Sequence, residues 1–122
     1  MTKYSEIELN LINIQIGCVI RLARLKRNLS QHELSLIIGT NPTMVGRVER
    51  FENESSWNKI YCISQQLEIN FFDLFVLKSK EELLNIVDES LSLEEKLTTV
   101  KRDYYFTLRS TITAKFNSLS KD

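Results

Sequence analysis

The side chains that usually perform catalysis or hold metal ions are few and scattered in this chain of 122 residues. His32 is the only histidine, and no evident partner stands at a spacing that would activate it. Cys18 and Cys62 lie in separate helical patterns, so we expect reduced, buried thiols rather than a disulfide or metal ligands. No glycine-rich phosphate loop occurs. The sequence therefore predicts neither an enzyme nor a bound cofactor or metal.

One short segment of the N-terminal half has the pattern of two short helices joined by a tight turn. Ser30 and Glu33 form a capping box that opens the first helix. Gly39 is a turn residue, because glycine adopts positive φ without steric strain. Asn41 caps the second helix and Pro42 occupies its first turn. This arrangement is a helix-turn-helix, whose second helix can enter the major groove of DNA.

Helical periodicity and capping residues predict further helices on both sides of this segment. An apolar face from Ile14 to Leu25 indicates a preceding helix that ends near Asn28. No segment alternates as a strand does, so the chain is predicted to be all-α. We expect the long final helix to open at a capping box formed by Ser92 and Glu95. The other predicted helix starts are Ser5, Ser56, Asn70, and Ser79 with Glu82.

Charge is balanced overall but unevenly distributed. The chain holds 16 basic and 16 acidic side chains. Residues 14–60 carry seven basic and four acidic groups, net +3, whereas residues 61–122 carry eight and ten, net −2. A basic half is a weak indication of a polyanionic partner. The sequence has no apolar run of the roughly 20 residues that a membrane helix needs and no signal-peptide pattern, so we expect a cytoplasmic protein without membrane contact.

The predicted helices carry a set of residues in one register: Leu29-Ser30-Gln31, Glu33-Leu34, Gly39, Val48-Glu49, Leu67, Ile69 and Leu74-Phe75. This pattern resembles the lambda-repressor-like family, which includes phage repressors, Cro and the xenobiotic-response-element regulators of bacteria. The resemblance covers residues 12–76 and implies a five-helix DNA-binding domain. Residues 1–11 are then an N-terminal arm or leading helix, and residues 77–122 a helical C-terminal region.

The resemblance also implies roles for individual residues. Arg24 and Glu49 match a structural ion pair, and helix 42–50 is expected to lie in the major groove. Arg47 is the best candidate reader, since arginine can donate two hydrogen bonds to guanine. Met44 fits either contact with a thymine methyl or core packing. The residues expected to contact DNA are Gln31, His32, Asn41, Pro42, Thr43, Met44, Arg47, Arg50 and Asn53.

Three features of the reading segment depart from the family pattern. Pro42 cannot donate a hydrogen bond, which removes one reading position. Gly46 weakens the second helix by about 1 kcal/mol relative to alanine, unless a close backbone approach requires it. Glu52 and Glu54 would repel phosphates if they faced DNA. These departures predict weaker or less specific binding than the pattern alone implies.

The C-terminal region contains an apolar stripe with the 4-3-4 spacing of a helix seam. It is expected to join two subunits, because helix-turn-helix proteins commonly bind paired half-sites as dimers. The alternative is that the last helix packs on its own DNA-binding domain. The residues expected at the dimer interface are Leu93, Leu97, Val100, Tyr104 and Leu108.

The sequence thus predicts a sequence-specific, homodimeric regulator of double-stranded DNA, in the family's commoner mode a repressor. The alternative is a protein-interaction module, such as an antitoxin-type protein, whose residues 77–122 bind another protein while the helix-turn-helix serves as a scaffold or an autoregulatory element. The acidic loop, Pro42 and the zero net charge favour that alternative.

Overall fold

A computed structural model describes residues 5–52 and 56–120, and within these ranges the only regular elements are helices. Six are α-helices and one is a 3₁₀ helix that lies between α4 and α5. None of the described helices is both long enough and apolar enough to cross a membrane. The helices are α1 (Glu6–Lys26), α2 (Gln31–Ile37), α3 (Met44–Glu49), α4 (Trp57–Leu67), the 3₁₀ helix (Phe72–Phe75), α5 (Lys80–Leu93) and α6 (Thr99–Ser120).

The first helix is long and continuous. It begins at Ser5, whose hydroxyl accepts hydrogen bonds from the backbone N–H groups of Ile7 and Glu8. It runs without a break through residues 11 and 12, so the expected leading helix is the first part of α1. As predicted, Asn28 takes a left-handed conformation just after its end, with φ of 56°.

The two short helices α2 and α3 follow the sequence pattern closely at the start of α2. Ser30 and Glu33 form the reciprocal capping box, with both hydrogen bonds at 2.9 Å. Gly39 has φ of 71°, as its turn position requires. The second helix is shorter than the predicted 42–50, since α3 begins at Met44 and ends at Glu49. The reason is that Pro42 and Thr43 form a turn, held by Thr43 N–H donating to Asn41 Oδ1.

Two apolar cores lie on different faces of α1. The first core joins α1 to α2, α3, α4 and the 3₁₀ helix. The second core joins α1 to α5 and α6. The first contains Ile16, Ile20, Leu34, Met44, Val45, Val48, Ile60, Ile63, Leu67 and Leu74. The second contains Ile14, Cys18, Leu83, Val87, Tyr105, Leu108 and Ile112.

The predicted start of the last helix is wrong. Ser92 lies in the final turn of α5, where its hydroxyl donates to the carbonyl of Glu89, and it caps nothing. Serine within a helix often bonds back to a carbonyl of the preceding turn, which removes it as a cap. The hydroxyl of Thr98 accepts from Lys101 N–H instead, and α6 begins at Thr99. The capping box at Ser79 and Glu82, by contrast, is formed as predicted.

A buried glutamine connects the two halves of the chain. Gln15 is fully buried on α1, and its amide nitrogen donates to the carbonyls of Leu74 at 3.1 Å and Val76 at 2.9 Å. Its side-chain oxygen accepts from the N–H of Lys78 at 2.8 Å. The segment that leads from the 3₁₀ helix to α5 is therefore fixed to α1 by three hydrogen bonds from one side chain.

Candidate nucleic-acid interface

A single buried carboxylate organises the candidate interface. Glu49 ends α3 and has no exposed surface. Arg24, from α1, donates to it twice, with Nε 2.6 Å from Oε2 and Nη2 3.0 Å from Oε1. This is the bidentate geometry in which arginine and a carboxylate pair most strongly. The ion pair that the sequence implied is present, and it attaches the last residue of α3 to the first helix.

A second arginine shares this carboxylate and was missed by the sequence analysis. Arg21 lies one turn before Arg24, and its Nε is 3.3 Å from Glu49 Oε1. Its Nη2 donates to the backbone carbonyl of Glu49 and to the hydroxyl of Tyr104. The Tyr104 ring also stacks under the guanidinium, with Cζ 4.8 Å from the ring centroid. The i, i+3 spacing of the two arginines was the available signal, because it places both on one side of α1.

Gln31 faces the same carboxylate and is half-buried. Its Nε2 donates to Glu49 Oε1 at 2.9 Å, so this amide donor, which was expected to contact a phosphate, has a partner within the chain. The Gln31 side chain also lies close against Gly46. A Cβ at position 46 would be 2.9 Å from both Gln31 Oε1 and Arg50 Nη1. Both atoms are the ends of flexible side chains that can shift, so these contacts do not show the close backbone approach that the sequence left open.

Met44 does not belong to the surface. It is 8% exposed and packs in the first core, which settles the open alternative in favour of core packing. Helical spacing explains the result, because Val45 and Val48 must face the interior, as predicted, and Met44 lies beside Val48 on the same side of α3. Met44, for which contact with a thymine methyl was one of two alternatives, therefore packs between α3 and the first core.

The remaining expected contacts are exposed, except Asn53, which lies outside the described residues. They are His32, Asn41, Pro42, Thr43, Arg47 and Arg50. Asn41 Oδ1 is occupied, since it accepts from both the N–H and the hydroxyl of Thr43. The Arg47 guanidinium has no hydrogen bond or ion pair to any residue in 5–52 or 56–120, although its charge helps to lower the pKa of Glu52.

In the acidic loop that follows α3, which contains Glu52 and Glu54, Glu52 pairs with the neighbouring Arg50. Arg50 Nε donates to Glu52 Oε1 at 2.9 Å. This hydrogen bond holds the pKa of Glu52 below its usual range, so the carboxylate stays charged and offsets Arg50. Of the two acidic residues that the sequence analysis named in this loop, Glu54 lies outside the described residues.

The residues expected at a dimer seam do not lie along one helix. Leu93 ends α5 and Leu97 lies in the linker between α5 and α6, so neither shares a face with Val100 of α6. Leu108 is 4% exposed and packs against α1 and α5 of its own chain. The residues therefore do not form one helical stripe, because the apolar period of α6 serves the second core. A dimer interface at these residues stays a prediction. The alternative, in which the C-terminal helices pack on their own chain, describes what the structure shows.

The cysteines differ in environment. Both are free, but only Cys18 is buried, whereas Cys62 is exposed on α4, contrary to the expectation of two buried thiols. Within the described ranges, no group of three histidine, cysteine, aspartate or glutamate side chains is placed to hold a metal ion. Comparison of the chain with protein-family models, curated proteins and solved structures found no match.

Proposed function

We propose that this protein is a sequence-specific DNA-binding regulator of the lambda-repressor-like kind, acting as a repressor with α3 in the major groove of double-stranded DNA. The proposal is supported by two short helices, α2 and α3, with a capping box at the start of α2 and a glycine turn between them. Five described helices, from α1 to the 3₁₀ helix, lie before residue 77.

The contrast between Arg47 and Glu49 on one short helix carries the proposal. Positions two apart on a helix face opposite sides, so fixing Glu49 in the interior directs Arg47 to solvent. Arg24, Arg21 and Gln31 hold Glu49 in place, and Arg47 is exposed on the outer side with no hydrogen bond or ion pair to the described residues. An exposed guanidinium whose donors are not engaged is available for bidentate recognition of guanine.

Selection of bound sequences from a random duplex pool at near-physiological salt tests this proposal. We expect the wild type to enrich a palindromic motif with half-sites about one helical turn apart, because two copies would bind paired half-sites. Arg47→Ala should lose discrimination at one base position in each half-site, by about 1–3 kcal/mol. The control is Arg102→Ala, an exposed arginine on α6, which should enrich the wild-type motif.

Two results would contradict the proposal: no enriched motif with the wild type, or an identical motif with Arg47→Ala. An identical motif with Arg47→Ala would exclude Arg47 as the residue that reads the base, although the protein would still bind DNA. The salt dependence of the binding affinity is an independent test of phosphate contacts. Each contact makes the slope of log affinity against log salt concentration steeper by nearly one unit.

A specific observation favours protein interaction as a second candidate function. Tyr61, Phe71, Phe72 and Phe75 form an aromatic cluster, with Phe71 5.1–5.6 Å from each of the other ring centroids. Phe72 is 78% exposed. Exposed aromatic clusters are typical of protein interfaces. Recovery of a specific protein partner by the wild type and its loss with Phe72→Asp would support this function. The expectation that residues 77–122 bind such a partner stays a prediction.

A further inference from the structure

One buried guanidinium links the end of α3 to the last helix. Arg21 Nε lies 3.3 Å from Glu49 Oε1, and Arg21 Nη2 donates to the backbone carbonyl of Glu49 at 3.3 Å. The same Nη2 donates to the hydroxyl of Tyr104, on α6, at 3.2 Å. Elements α1, α3 and α6 therefore meet at a single side chain, which belongs to α1.

The backbone carbonyl of Glu49 depends on this guanidinium. Arg24 and Gln31 donate to the Glu49 carboxylate, whereas Arg21 donates to both the carboxylate and the carbonyl. The last carbonyls of a helix have no partner within it, and a cation at that end is favoured by the helix dipole. Because α3 has only six residues, contacts with its neighbours must hold it in place. Arg21 supplies such a contact at the end of α3.

Tyr104 in turn holds the guanidinium in one conformation. The centroid of its ring is 4.8 Å from Arg21 Cζ, which is a cation–π distance, and its hydroxyl accepts from Nη2. An arginine side chain has several rotatable bonds, so fixing it costs conformational entropy that contacts must offset. Glu49 provides contacts from the side of α3, and Tyr104 provides them from the side of α6.

The position of Tyr104 is set by the second core. Leu108, one turn further along α6, and the neighbouring Tyr105 are both buried there against α1 and α5. The Tyr105 hydroxyl donates to Glu94 Oε2 at 3.2 Å, which attaches α6 to the residue that follows α5. The packing of the C-terminal helices therefore fixes the partner that Arg21 needs.

We propose that Tyr104 is a positioning residue for α3 and acts through Arg21. Its hydroxyl holds Arg21 against the end of α3, so the C-terminal helices determine how firmly α3 is held. Arg47 lies on the same short helix, and a reading residue that is already positioned loses less entropy on binding. This effect on DNA affinity rests on the proposed function, whereas the positioning of α3 does not and is tested without DNA.

Amide hydrogen exchange of the free, full chain, followed residue by residue by NMR, tests the positioning role. Tyr104→Phe removes the hydroxyl but keeps the ring. We expect the amides of Arg50 and Phe51, which donate to carbonyls of α3, to exchange about fivefold faster, because a hydrogen bond to a charged group is lost. Exchange in α4 should be unchanged. The control is Tyr105→Phe, which removes a hydroxyl that bonds to Glu94 instead and should leave exchange at the end of α3 unchanged.

Two further measurements distinguish positioning from a general loss of stability. In Tyr104→Phe the NMR resonance of the Arg21 Nε–H group should shift, whereas that of Arg24 should stay in place. In a chain that already carries Arg21→Lys, adding Tyr104→Phe should cause no further increase in exchange, because lysine lacks the forked donors that contact Glu49 and Tyr104 together.

Unchanged exchange at the end of α3 in Tyr104→Phe would overturn the proposal. An equal increase in α3 and α4, or the full fivefold increase in the Arg21→Lys background, would overturn it as well. If Arg21→Lys did not fold, an unshifted Arg21 Nε–H resonance in Tyr104→Phe would be the contradicting result.

The DNA motif enriched by the wild type extends the test to binding. We expect Tyr104→Phe to bind that motif about fivefold more weakly than the wild type and Tyr105→Phe to bind it equally well. Equal affinity of Tyr104→Phe and the wild type would overturn the effect on DNA binding. If the wild type enriched no motif, the proposed function would be contradicted, and the exchange measurements would still decide the role of Tyr104.

Discussion

At the scale of single residues, Gly17 sets how closely α1 and α3 approach. A Cβ at this position would lie 2.6 Å from the carbonyl oxygen of Glu49 and 2.8 Å from that of Val48. Both contacts involve backbone, which cannot rotate away as a flexible side chain can. This close approach brings the end of α3 within hydrogen-bonding distance of Arg21. Glycine here serves packing between helices and so permits the Glu49 network.

Gly17→Ala should destabilise the fold. Alanine favours a helix by about 1 kcal/mol over glycine, but the steric conflict with α3 exceeds that gain, so we expect a net loss of about 1–3 kcal/mol. Urea unfolding followed by circular dichroism measures the change. Ser110→Ala, on the exposed side of α6, is the control and should leave stability within about 0.5 kcal/mol. A stabilised Gly17→Ala variant would show that α3 is not held against α1.

Cys18 makes stability depend on pH in the alkaline range. Burial raises the pKa of its thiol to about 12, although the nearby Arg21 favours the thiolate. In the unfolded chain the thiol loses its proton near pH 9, so between pH 9 and 12 the folded state binds more protons than the unfolded state. The stability that the neutral thiol contributes is therefore complete below pH 9 and is lost as the pH rises toward 12.

Replacing this thiol should flatten the alkaline decline in stability. We expect the free energy of unfolding of Cys18→Ala to fall less steeply from pH 9 to 11 than that of the wild type, by up to about 1.4 kcal/mol per pH unit. Cys62→Ala, at the exposed cysteine, should keep the wild-type slope. Parallel slopes for all three proteins would mean that Cys18 is accessible to solvent.

Residue types predicted some parts of the candidate site better than others. The Arg24–Glu49 pair followed from the resemblance, and the capping role of Ser30 from local chemistry. The sequence did not predict whether the Met44 side chain faces the core or the surface. A side chain at the start of a six-residue helix can satisfy either pattern. Arg21 was missed because the resemblance assigned Glu49 to Arg24 alone, and its other partner, Tyr104, lies 83 positions later in the chain.

At the scale of elements, identical sequence signals had different outcomes. Ser79 with Glu82 and Ser92 with Glu95 have the same spacing, yet only the first opens a helix. The preceding residues decide whether the signal opens a helix. Residues 77–79 are not helical, so Ser79 can cap α5, whereas Ser92 lies within α5 and cannot cap a new helix. A capping signal therefore predicts a helix start only where the preceding residues have left helical conformation.

The end of α4 is an element boundary under strain. Glu68 terminates the helix in the left-handed conformation, with φ of 56° and ψ of 41°, which costs a non-glycine residue about 1–2 kcal/mol. Glycine is the residue most often found at such helix ends. The Glu68 carboxylate oxygen Oε2 lies 3.4 Å from Arg27 Nη2 in a largely exposed ion pair, which contributes little to stability.

Glu68→Gly should stabilise the protein by about 0.5–1 kcal/mol. This is the relief of left-handed strain less the additional chain entropy of glycine in the unfolded state. Chemical denaturation gives the change in free energy. Glu68→Ala removes the same carboxylate but keeps the strain, so it should be no more stable than the wild type. If the alanine and glycine variants were equally stable, strain at this helix end would be excluded.

At the scale of the whole molecule, α1 is shared by both cores. The sequence predicted an all-helical chain, and the described residues confirm it. Packing of the last helix on its own chain was only the alternative, because an apolar period shows that a helix has a buried face but not which surface covers it. The resemblance ended at residue 76, so nothing in it specified the second core. Sharing α1 makes the two halves one structural unit.

Ile112→Ala, far from α2 and α3 in sequence, should destabilise those helices together with the rest. Ile112 is fully buried in the second core, so we expect a loss of about 2–5 kcal/mol. Native-state hydrogen exchange should show the same loss of protection for amides in α2, α3 and α5. Phe106→Ala, at a half-exposed position of α6, is the control and should change protection little. Unchanged protection in α2 and α3 would make the C-terminal helices a separate cooperative unit.

The shared helix also sets an order of events on the ribosome. Ile14 and Cys18 are made early, but the residues that cover them, from Leu83 to Ile112, emerge last among the core residues. At typical elongation rates the delay between Ile14 and Ile112 is on the order of 5–20 s. During that interval the first core, which is complete once Leu74 has been made, can form on one face of α1 while the other face remains uncovered. The nascent chain therefore exposes an apolar helix surface for seconds, and such a surface favours aggregation until the second core forms.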